Sequence, residues 1–354
     1  MLIKIILNLI ILVWSSINVL KCKFLNLDKA NFFILKESSQ LIDSRSVLYS
    51  RIRINTLNKS INFVRSTSFY LSINSLFKLK NIVILNSYHD FFYLIENCLF
   101  NKKNNSFYNT VYRLFKSLNI KQFKMIDDYR YLDLFIPICK KLNIKSKGYM
   151  HGRISKDLKY QKNLFHYSFD EYYVWNKYYK QKILEYNTNY KSKNILIKNP
   201  FKKKIIRKSN KIEKVMIIHE DGISLNFYKN LIYQLKKQKN IKVYLKFRPN
   251  NIMDIKLINF LNNNNVVYFH KQNLKKLYSK FNIDIILANN SSILIECSIY
   301  KIIPIAIYNH NPKIREFMND KIVICSNIRD LSLFLKRKKF LNSRLNLVRK
   351  KLWG

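Results

Sequence analysis

Residues 283–307 read Ile-Asp-Ile-Ile-Leu-Ala-Asn-Asn-Ser-Ser-Ile-Leu-Ile-Glu-Cys-Ser-Ile-Tyr-Lys-Ile-Ile-Pro-Ile-Ala-Ile. The run 284–288 is short and apolar, as expected of a strand buried on both faces. Asn289, Asn290, Ser291 and Ser292 then break it with the residue types that cap helix N-termini. Apolar residues at helical spacing follow over 293–300, and Pro304 reopens an extended run to 308. Strand, polar turn, helix and strand in that order are the unit of an α/β sheet. A turn of this kind presents backbone N–H groups and a partial positive charge to an anion, and phosphate is the natural guest. Glu296 follows Ser292 by four residues, one turn along the same face, where it could accept hydrogen bonds from ribose hydroxyls. The same spacing also describes an ordinary capped helix with a solvated glutamate.

The pattern repeats through the second half. Extended apolar runs at 215–219, 243–247, 266–269, 283–288, 304–308 and 322–325 alternate with helical periodicity at 226–237, 255–261, 274–281, 292–300, 314–318 and 331–338. This alternation predicts a doubly wound domain, whose ligands lie beyond the carboxyl ends of the strands. Glu220-Asp221-Gly222 follows one such end and Arg248-Pro249 another. A carboxylate there could take a proton from an attacking hydroxyl, and the glycine permits close ligand approach. Capping of the following helix by Asp221 or Ser224 is the competing reading. Arg248 suits bidentate phosphate contact, although a lone arginine in so basic a chain is also an ordinary surface charge.

The first half alternates less regularly. Extended runs fall at 31–35, 82–85, 123–126, 147–150 and 172–175, and helical patterns at 91–100, 108–118, 132–142 and 177–186. Gly148-Tyr149-Met150-His151-Gly152 closes one strand and places His151 where acid–base work or hydrogen bonding to an acceptor is feasible, alongside a purely structural imidazole. The expected division is a first domain over 1–198, a linker over 199–213 opened by Asn199-Pro200 and kept solvated by its lysines, and a second domain over 214–354. Residues 1–20 are apolar apart from Lys4, Asn8, Ser15, Ser16 and Asn18, which predicts a helix that packs on the domain or lies in a membrane interface.

Composition narrows the class. The chain has 354 residues, 48% of them hydrophobic, which is globular and not disordered. Its formal charge of +44 comes from 65 Lys and Arg against 21 Asp and Glu. Abundant Lys, Asn, Ile, Phe and Tyr with little Gly, Ala or Pro is the profile of AT-biased coding, which inflates lysine without a ligand. The shortage of acid still favours phosphate-rich partners. The four glycines, Gly148, Gly152, Gly222 and Gly354, are then expected where positive φ or close approach requires them. Five widely spaced cysteines show no metal-ligand spacing and read as buried thiols of a reducing compartment. P-loop, GxGxxG and HExxH patterns are absent from the sequence. The lysine–aromatic mixture forms no RNA-binding signature, so nucleic acid is not the expected partner.

Two α/β domains with these strand-end motifs resemble GT-B glycosyltransferases, which implies two Rossmann-like doubly wound domains facing a central cleft. Glu220-Asp221-Gly222, Arg248-Pro249 and Ser291-Ser292 resemble the ordered motifs of bacterial sialyltransferases, with Arg248 where that family has histidine. Tyr149-Met150-His151-Gly152 is similar to a segment of surface-polysaccharide transferases and CDP-glycerol phosphotransferases. The resemblance implies a metal-independent transferase without a bound cofactor, working on a nucleotide-sugar. The phosphates would lie at Asn290, Ser291 and Ser292 beside Gly222, the ribose at Glu296, and the leaving group at Arg248. Asp221 or Glu220 would serve as base, with His151 on the acceptor side. The implied partners are a nucleotide-sugar donor and a glycan or lipid-linked acceptor of lipopolysaccharide or capsule. The implied place is the cytoplasm, peripheral to the anionic inner face of the bacterial membrane. A polyol-phosphate transferase, a non-catalytic GT-B scaffold and a basic nucleic-acid-binding protein are the alternatives.

Overall fold

The computed structural model describes residues 2–35, 59–66, 81–85, 107–126, 131–150, 154, 162–199, 213–220, 222–238, 240–247, 253–270, 272–289, 291–307, 320–325 and 327–353. The chain forms two compact units: Met1–Trp175 with Tyr179–Pro200, and Asn176–Tyr178 with Phe201–Gly354. The expected helices at 91–100 and 314–318 and most of the expected linker lie outside the described residues.

The first unit opens with helix α1 (Leu2–Phe24). Its sheet contains β1 (Lys29–Leu35), β2 (Ile61–Ser66), β3 (Ile82–Ile84), β4 (Gln122–Ile126), β5 (Lys145–Tyr149), β6 (Glu171–Val174) and β7 (Ile195–Ile197). All pairings are parallel, in the order β3-β2-β1-β4-β5-β6-β7. Helices α2 (Phe107–Ser117), α3 (Leu132–Lys141), α4 (Lys162–His166) and α5 (Lys177–Tyr186) lie between strands. On one side, Phe123 of β4 packs 5.2 Å from the Phe115 ring of α2 and 4.9 Å from the Phe135 ring of α3. Strands β2 and β7 do not stand out in the sequence. β2 is interrupted by Asn62 and Arg65, and a buried asparagine in a central strand demands a partner. Asn31 Nδ2 supplies it, donating to Asn62 Oδ1 at 3.0 Å across the β1–β2 pair.

The second unit holds β8 (Lys214–Ile218), β9 (Lys242–Lys246), β10 (Val267–Phe269), β11 (Ile285–Ala288), β12 (Ile303–Ile307) and β13 (Val323–Cys325). They run parallel in the order β10-β9-β8-β11-β12-β13. The order reverses between β8 and β11, and that is where open sheets of this kind bind ligands. Asp284 fixes the register at the opposite end: its Oδ2 accepts from the Glu213 and Lys214 N–H groups at 3.0 Å each. Helices α6 (Leu225–Lys236), α7 (Ile255–Asn263), α8 (Leu274–Phe281), α9 (Ile293–Ile299), α10 (Ile328–Lys336) and α11 (Lys338–Trp353) complete the unit. Side chains such as Ile217, Leu245, Ile285, Leu287 and Ile305 are fully buried. Each such burial stabilises by about 1.5–3 kcal/mol.

The sequence pattern predicts one helix over 331–338, whereas the chain forms α10, breaks at Arg337 and continues as α11. Lysine and arginine crowd α11, yet Leu341, Leu345, Val348 and Leu352 recur at helical spacing and are buried. Helix ends show how the chain folds with so few glycines. Left-handed backbone is adopted by Asn26, Asn119, Asn143, Asn265 and Asn282, each just past a helix, where glycine is the usual choice. Asparagine tolerates that conformation best among the other residues, so the compositional bias toward asparagine supplies the caps.

Candidate functional site

Three strand ends of the second unit carry the residues singled out from sequence. β8 leads into His219 and Glu220, β9 into Phe247, and β11 into Asn289. Because the strands are parallel, all three ends share one edge of the sheet, with β8 and β11 flanking the reversal. Ladder bonds continue past the strands: the His219 N–H donates to the Lys246 carbonyl at 2.9 Å and the Phe247 N–H to the Phe269 carbonyl at 2.8 Å.

Glu220 is buried, and its Oε1 accepts the Asn289 N–H at 3.1 Å. One hydrogen bond therefore joins the acidic turn after β8 to the serine turn after β11. Glu220 is held from behind by Tyr228 of α6, whose hydroxyl accepts the Glu220 N–H at 2.8 Å and donates to the Glu220 carbonyl at 3.3 Å. The His219 ring lies between Tyr228 and Phe247, with centroids 4.7 and 4.9 Å away. Gly222 has φ +78°, a left-handed conformation that explains a glycine here. The cap of α6 is Ser224, whose Oγ accepts the Phe227 N–H at 3.3 Å.

The serine turn is compact. Ser292 Oγ donates to Glu296 Oε1 at 3.2 Å, and the Ser291 carbonyl accepts the Leu294 N–H at 3.1 Å. Ser291, Ser292 and Glu296 are half-buried, so each retains access to solvent. Asn289 is 8% exposed, and its Oδ1 has no hydrogen-bond partner among the described residues. α9 is braced by α11, where Trp353 Nε1 donates to Ser298 Oγ at 2.9 Å. Burial raises the thiol of Cys297 on α9 well above its ordinary pKa. Cys22, Cys139 and Cys325 are buried free thiols as well.

The structure thus brings Glu220, Gly222, Ser291, Ser292 and Glu296 to one sheet edge. Asp221, Arg248, Asn290 and His151 lie outside the described residues, though Asp221 and Asn290 are chain neighbours of Glu220 and Asn289.

Solved structures with the same architecture span nearly the whole chain. MurG of Acinetobacter baumannii aligns over 92% of this chain and 95% of its own, with a TM-score of 0.55 and 8% identity. A UDP-GlcNAc 2-epimerase of Neisseria meningitidis bound to UDP-GlcNAc covers 91% and 97%, with a TM-score of 0.53 and 11% identity. The lipopolysaccharide outer core galactosyltransferase WaaB covers 92% and 96%, with a TM-score of 0.51 and 13% identity. The fold is GT-B. At these identities the likeness is one of architecture, and a GT-B chain can be a transferase or an epimerase. No family model matches the sequence, and no curated protein matches it either.

Within this GT-B second unit, three residues have roles that the sequence reading did not assign. Asn289 supplies the N–H that Glu220 binds, and Tyr228 anchors Glu220 from eight residues downstream. Lys246 is 5% exposed, and its Nζ donates to the carbonyls of Phe247 and His270. Nothing in local periodicity marks a lysine that ends a strand as buried.

Proposed function

We propose that this protein is a GT-B glycosyltransferase that moves a sugar from a nucleotide-sugar to a surface-glycan acceptor. The observation that carries the reading is the Glu220–Asn289 hydrogen bond, which sets the acidic turn against the serine turn at the point of strand reversal. With its carboxylate buried and engaged there, Glu220 positions the turn. Its neighbour Asp221 then takes the acceptor proton. The acceptor oxygen attacks the anomeric carbon, the bond from that carbon to the phosphate oxygen breaks, and the nucleotide leaves with the electron pair. Charge grows on the departing phosphate, so fixed donors there contribute most. Ser291, Ser292 and Asn290 supply them, with Arg248 as the cation. Glu296 exchanges its bond from Ser292 for one from the ribose, and His151 serves the acceptor.

A thermal-shift panel of CMP, CDP, UDP and GDP tests this. One nucleotide should raise the melting temperature, because a ligand at 100 times its Kd stabilises by about 2.7 kcal/mol. CMP would favour a sialyltransferase-like donor, CDP a polyol-phosphate donor and UDP a hexose donor. No shift from any of them, together with steep salt-dependent binding of DNA or RNA, would overturn the reading. Because an epimerase shares the fold, product analysis without acceptor is the second arm: conversion of free UDP-GlcNAc to its epimer would replace transfer by epimerisation.

The acceptor in this reading is lipid-linked, and α1 supplies the means of approach. Among the described residues no helix is long and apolar enough to cross a membrane. One face of α1 packs on the first unit through Ile11, Ser15 and Cys22, while Ile6, Ile10, Val13, Ile17, Leu20 and Phe24 form an exposed apolar stripe at helical spacing. Exposed Lys21 and Lys23 fall on either side of the stripe, and residues 1–27 contain no acidic side chain. That arrangement fits an anionic lipid interface, with apolar side chains among acyl chains and lysines at the headgroups. The protein should co-sediment with phosphatidylglycerol vesicles, and Ile10→Asp with Ile17→Asp should weaken this by at least about tenfold. Unchanged vesicle binding, or a dimer that the double variant dissociates, would remove the membrane assignment.

A further inference from the structure

The first sheet has two unlike faces. On one, Phe123, Met125, Gly148, Tyr172 and Val174 are buried. The other carries a polar row in strict register across five strands: Asn62, Asn31, Lys124, Lys147 and Glu171. A parallel sheet ordinarily has apolar residues on both faces, because helices cover both. At the β1–β2 end the row is closed by the Asn31–Asn62 bond. Over β4, β5 and β6 it is charged and half-buried.

Charge along that part of the row is unbalanced. Glu171 is already engaged by Lys145 at 2.6 Å, Lys147 at 2.8 Å and the Tyr173 hydroxyl at 2.7 Å. Burial works to raise the Glu171 pKa, but these three hydrogen bonds and the Lys147 charge prevail and bring it down to about 2. In the adjoining row Tyr149 and Tyr173 stack with centroids 4.8 Å apart, and Lys198 Nζ stands 5.8 and 5.5 Å from the two rings. Lys124 has no ion-pair partner among the described residues. Its pKa is lowered by burial first and then by the charges of Lys147, Lys29 and Lys198, against a smaller opposing effect of Glu171. Surface lysines in a lysine-rich chain turn into water and avoid such crowding. Lys124 and Lys147 are held in register on a sheet face and cannot, and exposed Lys198, just past β7, stands over the neighbouring Tyr149 and Tyr173 rings.

We propose that the Lys124–Lys147–Lys198 face of the first sheet is a binding site for a phosphate group, borne either on a soluble sugar phosphate or on a lipid headgroup. A phosphate would meet several charge-assisted donors at once and neutralise the excess that no second carboxylate in the row balances. The site lies wholly in the first unit and does not depend on the donor reading above.

The test is calorimetric titration of the full chain with inorganic pyrophosphate. Saturable binding is expected, weakened about tenfold or more by Lys124→Gln and unchanged by Lys336→Gln, an exposed lysine of α10 in the second unit. Lys124→Gln should also raise the melting temperature of the unliganded protein, because it relieves repulsion; a merely structural lysine would lower it. Saturable binding that Lys124→Gln leaves intact, as a nucleotide site in the second unit would give, equal weakening by both substitutions, or no saturable binding would overturn the proposal. Competition between phosphatidic acid vesicles and pyrophosphate for the wild type would assign the lipid source, and absence of competition the soluble one.

Discussion

Glu220→Ala is expected to lower the melting temperature by several degrees and to weaken nucleotide binding, whereas Glu220→Gln keeps most of both. The alanine variant leaves the Asn289 N–H without its acceptor in a buried position and removes the link between the two turns. An orphaned buried donor costs about 1–3 kcal/mol. For a unit the size of the second one, Asn176–Tyr178 with Phe201–Gly354, each kcal/mol shifts the melting temperature by roughly 2–4 °C. Glutamine restores a side-chain oxygen of the same reach, so the serine turn stays in place. The pair of variants separates positioning from proton transfer. If Glu220 were itself the base, glutamine would abolish turnover while leaving nucleotide affinity and stability near wild type. Thermal denaturation, nucleotide titration and a nucleotide-release assay on both variants decide between these outcomes.

Gly148→Ala should be the most damaging small substitution in the first unit. A Cβ on Gly148 would stand 2.2 Å from Phe169 Cδ2 and 2.3 Å from Cε2, far inside contact distance. The ring has little freedom to withdraw. Phe169 is 2% exposed, stacks 5.7 Å from Tyr172, and is tied by its backbone N–H to the Tyr190 hydroxyl at 3.0 Å. Overpacking of this kind costs about 1–3 kcal/mol, and a site that cannot relax falls at the upper end. The double variant Gly148→Ala with Phe169→Leu should recover part of the loss, because the smaller side chain makes room. Denaturant unfolding of the two single variants and the double variant gives the coupling energy. Strictly additive losses would mean that the two residues do not meet.

Gly148 and Gly222 also show what composition can reveal. In a chain depleted of glycine, the survivors are expected where a side chain cannot be accommodated. The two described ones bear this out for different reasons, Gly148 for space and Gly222 for its positive φ. Elsewhere the bias works the other way, and asparagine takes over the helix ends that glycine usually serves.

The strands of the second unit and its helices α6 to α9 were readable from periodicity, and so was the edge on which Glu220, Gly222, Ser291, Ser292 and Glu296 lie. The serine turn was read as a helix start, and α9 begins there. The strands β2 and β7 and the long α11 were not readable. In β2 a buried asparagine breaks the apolar run, and only its partner on another strand explains it. In α11 the leucines that face the interior are diluted by lysine and arginine until the stripe is lost in the count.

What the sequence alone determined is local: which segments are extended, which are helical, and which residue types stand at strand ends. Apolar periodicity carries that information because burial selects side chains at the repeat of each element. What only the tertiary structure decided is pairing at a distance. Glu220 reaches Asn289 across 69 residues because β8 and β11 are neighbours in the sheet, and Lys124, Lys147 and Glu171 form a row because three strands share a register. Strand order and register follow from packing the whole unit, and no single segment encodes them.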